Sequence, residues 1–221
     1  MQKPIEFPPF TILPKTRIIL TGTHYDLTSP AHLQQMKGFG VKKVFFVFPT
    51  TQKQLELSGE FRTTPEEKID LMDIYAKFRI NPMIATILPK NGIQITSLLR
   101  NPRTFRSYDS FDKEAREVEG KFVIQCMHGR HASAAYALYH LAKSTNYSMP
   151  EIHKIFFDAG FKASELERMD FFLRDAGVNL QEVVKERERV ILAQKKSVAR
   201  HLKKKMKHIA RGSKPLRHNR H

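Results

Sequence analysis

Cys126 is the only cysteine in the 221-residue chain, and it stands between the apolar run Phe122-Val123-Ile124 and a helix-like segment beginning near Ser133. A strand that turns sharply into a helix gathers backbone N–H groups and the positive end of the helix dipole at one spot. A thiol there is acidified and aimed at an anion, which is the arrangement needed to attack a phosphate ester. Such chemistry also needs a guanidinium to hold two phosphoryl oxygens in a fork, and an acid to protonate the leaving oxygen. The stretch Gln125-Cys126-Met127-His128-Gly129-Arg130-His131-Ala132-Ser133 supplies a nucleophile, a glycine that permits a tight curl, and a hydroxyl within reach of the sulfur. Taken alone, a cysteine after an apolar strand is more often a small buried hydrophobe than a nucleophile.

The elements that must position this loop read as alternating strands and helices. Arg17–Leu20 is β-branched and short, the expected first strand; Ser29-Pro30 opens a helix that Gly38 stops. Lys43–Phe48 is a nearly continuous apolar run, as in a strand buried on both faces. Thr64-Pro65-Glu66-Glu67 is a capping box for a helix reaching about Phe78. Met83–Leu88 reads as a further buried strand ending at Pro89, and residues 90 to 108 as an irregular excursion. A short helix over about Ser110–Val118, a strand over Lys121–Gln125 and a helix over Ser133–Ala142 follow. Helices at 149–158, with a Ser148–Glu151 capping box, and at 164–175 come next. A last helix opens at Asn179 and extends to about Gly212. The pattern predicts an α/β fold: a central, mostly parallel sheet of four to five strands flanked by helices, with a long basic C-terminal helix.

The loop resembles the signature of cysteine-dependent tyrosine and dual-specificity phosphatases, His-Cys-x-x-Gly-x-x-Arg-Ser/Thr-Gly, at Cys126, Gly129 and Ser133. Leu27–Leu33 with Gly38–Val44, and Ala135–Tyr139 leading to Met149–Gly160, are similar to the compact dual-specificity type. The resemblance covers about residues 15 to 175. It implies a phosphatase-like fold, with Cys126 as nucleophile and a phosphate-binding loop of Met127, His128, Gly129, Arg130, His131, Ala132 and Ser133.

The departures matter as much. Gln125 replaces the histidine, Ala132 the arginine and Ala134 the last glycine. The family's general acid follows the strand matched here to Met83–Leu88, where Pro89-Lys90-Asn91-Gly92 carries no carboxylate. Asp109 and Asp112 are the acids that could fold back, and either serves equally as a helix cap. An arginine clamp contributes several kcal/mol of electrostatic stabilisation; Ala132 contributes none. Arg130, with His128 and His131, keeps the loop positive. Loss of both parts points to an inactive or impaired phosphatase, a pseudophosphatase binding a phosphate or a phosphorylated partner.

The net charge of +16 is uneven: from Lys185 onward 14 Lys/Arg face 2 Glu, a net of +12, whereas the first 184 residues carry 24 and 20, a net of +4. Val190, Ile191, Val198, Leu202, Met206 and Ile209 fall at helical spacing, with lysines largely elsewhere around the axis. Lys195, Lys196, Arg200, Lys203, Lys204, Lys205, Lys207 and Arg211 could meet nucleic-acid phosphates, an acidic protein or an anionic membrane surface. The expected division is a phosphatase-like domain over 1–178 and a basic tail over 179–221, frayed at its end.

One cysteine excludes an internal disulfide and fits a reducing compartment. The start lacks an apolar signal-peptide core, and no apolar run reaches the ~18 residues of a membrane span. A cytoplasmic location is expected; Lys203–Lys207 also fits a nuclear-import patch. His128 and His131 lack zinc-site spacing, so no metal or cofactor is implied. Three functions stay open: a pseudophosphatase interaction module, an active cysteine phosphatase on phosphoprotein, phosphoinositide or nucleotide, and a nucleic-acid-binding protein acting through its tail.

Overall fold

The computed structural model describes residues 10–22, 27, 29–47, 82–98, 105–126 and 129–212. The expected helix over Thr64–Phe78 lies outside them, as do Met127 and His128. Five strands, β1 (Phe10–Ile12), β2 (Ile18–Thr21), β3 (Val41–Val47), β4 (Gln94–Leu98) and β5 (Lys121–Gln125), form one sheet in the order β1-β2-β5-β3-β4. Only the β1–β2 pairing is antiparallel; β2, β5, β3 and β4 run parallel to one another. Seven helices complete the described residues: α1 (Pro30–Gly38), α2 (Pro82–Lys90), α3 (Phe105–Arg116), α4 (Ala132–Ser144), α5 (Met149–Asp158), α6 (Ala163–Asp175) and α7 (Leu180–Gly212). This is the mostly parallel, helix-flanked sheet expected from the sequence.

β5 occupies the middle of the sheet, with Gln125 level with Thr21 of β2 on one side and Phe46 of β3 on the other. Loops leaving the carboxyl ends of parallel strands face a common crevice. Cys126, the next residue, is delivered to that edge.

α4 is buried from Ser133 through Ala142. It packs against α3, α5, α6 and strands β2 and β5, and a helix covered on all sides carries no polar face. Ala134, Ala135, Ala137 and Ala142 let those neighbours approach. Tyr136 instead stacks on Tyr108 of α3 with ring centroids 4.3 Å apart. Phe45, Phe111 and Phe122 meet edge to face between the sheet and α3. A second apolar group gathers Ile19, Leu27, Met36, Val44, Leu88 and Ile93 on α1, α2 and the sheet.

One expected element is corrected. Met83–Leu88 is not a strand but the body of α2, and the strand beside β3 is β4 at Gln94–Leu98, within the supposed excursion. A six-residue run with five apolar residues fits a buried helix as well as a buried strand. Pro89 lies in the last turn and has no N–H to give the helix, and Gly92 at φ +73° ends the helix as Ile93 N–H donates to Leu88 O at 3.0 Å. β4 escaped notice because it is an edge strand, where Gln94, Thr96 and Ser97 replace an unbroken apolar run. A second addition is β1, three residues between prolines. α3 also begins earlier than expected, at Phe105.

The chain divides into two compact units, Met1–Leu180 and Gln181–His221. The second is essentially the helix α7. Among the described residues no helix is long and apolar enough to cross a membrane.

Candidate functional site

The Cys126 N–H donates to Thr21 O at 3.2 Å, extending the β2–β5 ladder one residue past the strand. This fixes the start of the loop to the sheet. Cys126 is 5% exposed. The Gly129 N–H donates to Sγ at 3.2 Å, and Ser133 Oγ, in the first turn of α4, is hydrogen-bonded to Sγ at 3.2 Å. His131, the N-cap, makes no side-chain cap bond. The cap side chain therefore does not occupy the first amides of α4. A thiolate would receive two donors and the positive helix end, each favouring the anion.

Gly129 is demanded by geometry. Its φ is +71°, and a Cβ there would lie 2.5 Å from Thr21 C, 2.6 Å from Gly22 N and 2.8 Å from Thr21 O. The loop backbone thus rests directly on the end of β2. Gln125 is buried and donates from Nε2 to Gly22 O at 2.7 Å, bracing the same corner.

Arg130 points away from the loop's centre. Its Nε donates to Glu165 Oε1 at 2.7 Å, and one terminal nitrogen donates to Glu165 Oε2 at 3.1 Å and to Gly160 O at 2.8 Å. The guanidinium also lies over the Phe161 ring, 4.4 Å from its centroid. Bidentate pairing plus stacking is the geometry in which arginine is most firmly held. Glu165 additionally accepts the Lys162 N–H at 2.8 Å as part of the α6 capping arrangement. Burial pushes the Glu165 carboxyl up, yet the bonds from Arg130 and Lys162, with the charges of Arg130 and His131, hold it below its ordinary value. The one guanidinium of the loop is a brace between the loop and the α5–α6 junction.

Asp109 and Asp112 lie within α3 and face the far half of α4. Tyr139 O–H donates to Asp109 Oδ1 at 2.5 Å, and Lys143 forms an ion pair with the same oxygen. Asp112 is fully buried; its Oδ1 meets His140 Nδ1 at 2.8 Å and Ser144 Oγ at 2.5 Å, and its Oδ2 meets Arg116 Nε at 3.3 Å. His140 is seven residues past Ser133, about 10 Å along the helix axis. These acids are thus not brought to the sulfur. Nor does the segment after β4, residues 99 to 104, contain a carboxylate. Sequence reasoning missed Gly160, Phe161, Glu165 and His140, since partners 28 to 35 positions apart leave no local signal.

Burial raises the Asp112 carboxyl, but hydrogen bonds from His140 and Ser144 and the charges of His140 and Arg116 outweigh it, so its pKa is lowered from 3.8. Glu165 is lowered from 4.5. A carboxylate whose folded pKa is depressed contributes stability above its unfolded pKa and loses it as pH falls through the folded value. The melting temperature should therefore hold between neutral pH and about pH 5, then fall through and below the ordinary carboxylate range. In Glu165→Gln the fall with acid should be shallower, as differential scanning calorimetry across pH would show.

On α7, Lys195, Lys196, Arg200, Lys203, Lys204 and Lys205 are all exposed. Lys207 and Arg211 continue the same helix. Among the described residues, no three His, Cys, Asp or Glu gather as a metal site would require.

No protein-family profile matches the chain, and no curated protein matches it. Among solved structures, the chain is similar to PTPMT1 at 16% identity over 81% of this chain and 99% of that one, with a TM-score of 0.44. It is similar to human DUSP28 at 11% identity over 76% and 94%, with a TM-score of 0.43. A PTP-like phytase from Bdellovibrio bacteriovorus shows 14% identity over 80% and 88%, with a TM-score of 0.46.

Proposed function

We propose that residues 1–178 are a phosphatase-like module that binds a phosphate or phosphorylated partner at the Cys126 loop with hydrolysis lost or severely impaired. The observation that carries this reading is the division of labour in the loop. The sulfur retains the Gly129 N–H and Ser133 partners suited to an anion, while the only arginine is committed to Glu165. Ala132 opens α4 where a phosphate fork would be needed. Without that fork or a nearby acid, the thiol can meet an anion but has little help in cleaving a phosphate ester.

Turnover of p-nitrophenyl phosphate tests this directly. The wild type and Cys126→Ser should be indistinguishable; Cys126-dependent turnover would instead establish an active enzyme. Ala132→Arg should tighten inorganic phosphate by about 10-fold, since a charge-assisted bond contributes about 1.5–3 kcal/mol. Protection of Cys126 from iodoacetamide provides the readout.

The exposed lysines of α7 favour a second role for residues 179–221, that of a nucleic-acid-binding appendage. Dense Lys/Arg is rewarded by a phosphate polymer without apolar insertion, and no aromatic anchor follows Phe172. Lys203→Glu, Lys204→Glu and Lys205→Glu together should weaken RNA or DNA binding and flatten its salt dependence in a filter-binding titration. Unchanged affinity would remove the tail from nucleic-acid binding.

A further inference from the structure

A cavity of about 590 Å³ opens at the end of the sheet opposite Cys126. It is bounded by the turn into β2, the end of α3, the start of β5 and the end of α4. Cys126 lies four residue steps beyond Phe122, which is in the cavity wall, about 13 Å along the strand. The two places are therefore distinct.

Three cations border the cavity: Lys15, Arg17 and Arg116, the last paired with Asp112 Oδ2 at 3.3 Å. Arg17 donates to Val118 O, which holds its stem at the rim. Lys15 has φ +60°, the one left-handed non-glycine among the described residues. Its backbone is kept there by Tyr147, whose O–H donates to Lys15 O at 3.0 Å. Ile18, Phe122 and Leu141 supply an apolar wall. His140 also lines the space. Its Nδ1 lies 2.8 Å from Asp112 Oδ1.

The chemistry is complementary to one kind of molecule. Clustered lysine and arginine suit a phosphate; the apolar wall suits the face of a flat ring. The volume falls in the range of small-ligand sites, about 300–1,000 Å³. We infer that this cavity is a second binding site, taking a nucleotide-sized phosphate monoester, with Lys15, Arg17 and Arg116 on the phosphate and Ile18, Phe122 and Leu141 against the ring. It is independent of the loop reading: either can fail without the other.

AMP is the probe, with adenosine and inorganic phosphate as comparisons, by isothermal titration calorimetry on the full chain. AMP should bind with a Kd of about 0.1–1 mM, and adenosine at least about 10-fold more weakly. Lys15→Gln with Arg17→Gln should weaken AMP by about 10-fold or more. Both residues are exposed, so the melting temperature should stay close to wild type. Lys15→Gln alone, which removes no hydrogen bond of the fold, provides a second variant and should weaken AMP in the same direction. In both, phosphate protection of Cys126 from iodoacetamide should be unchanged. Absence of saturable AMP binding overturns the inference. So does AMP binding that both variants leave intact, and if that AMP also protects Cys126, the nucleotide occupies the loop instead.

Discussion

Gly129→Ala should destabilise the chain by about 3 kcal/mol or more and free the Cys126 thiol. Two costs combine. An alanine at φ +71° pays about 1–2 kcal/mol for the left-handed conformation. Its methyl would also stand 2.5–2.8 Å from three backbone atoms of Thr21 and Gly22. That backbone cannot retreat freely, because Thr21 is paired with Gln125 in the sheet and its carbonyl already receives the Cys126 N–H. The loop must move instead, and moving it withdraws the Gly129 N–H from the sulfur. Urea denaturation should show the lost stability, and iodoacetamide should react faster with Cys126 than in the wild type. A melting temperature within about 2 °C of wild type would mean the loop does not rest on β2.

His140→Ala should be the most damaging change at the other end of α4. Asp112 is fully buried, and the imidazole is one of its few partners. Removing one member of a buried ionic pair costs about 3–5 kcal/mol, because the remaining charge stays desolvated. The ring also packs edge-on against Phe111 and Phe122, at centroid separations of 6.0 and 5.7 Å, so its loss leaves a void. A fall in melting temperature of roughly 10 °C is expected at this chain length. The companion measurement is Asp112→Ala with His140→Ala, which removes the stranded carboxylate together with its partner. The double variant should be more stable than the sum of the single losses predicts, by at least about 1 kcal/mol. Additive losses would mean that the two residues act separately.

Legibility from sequence followed the range of the interactions. α1 and α5 were readable because Ser29-Pro30 and the Ser148–Glu151 box are signals contained in a few residues. β5 was readable because Phe122-Val123-Ile124 is an unbroken apolar run, as a buried central strand requires. Met83–Leu88 was misassigned because an apolar run that short has no period to separate helix from strand. β4 was hidden by the polarity that an edge position allows. At the site, the cysteine, the glycine and the serine were legible because the curl that unites them is local. The position of Arg130 was not. Its direction is decided by Glu165 and Gly160, which nothing in the loop's own spacing reveals. The same holds for Asp112, which looked like a spare acid until His140 and Ser144 were seen to surround it.

The Arg130 brace also dictates an order of assembly. β2, β5 and α4 can bring Cys126, Gly129 and Ser133 together from residues 18 to 144, but the guanidinium has no carboxylate until the chain reaches Glu165. During synthesis, the brace therefore forms only after the chain has passed the turn at Gly160 and added Glu165, some 35 residues beyond the arginine it holds.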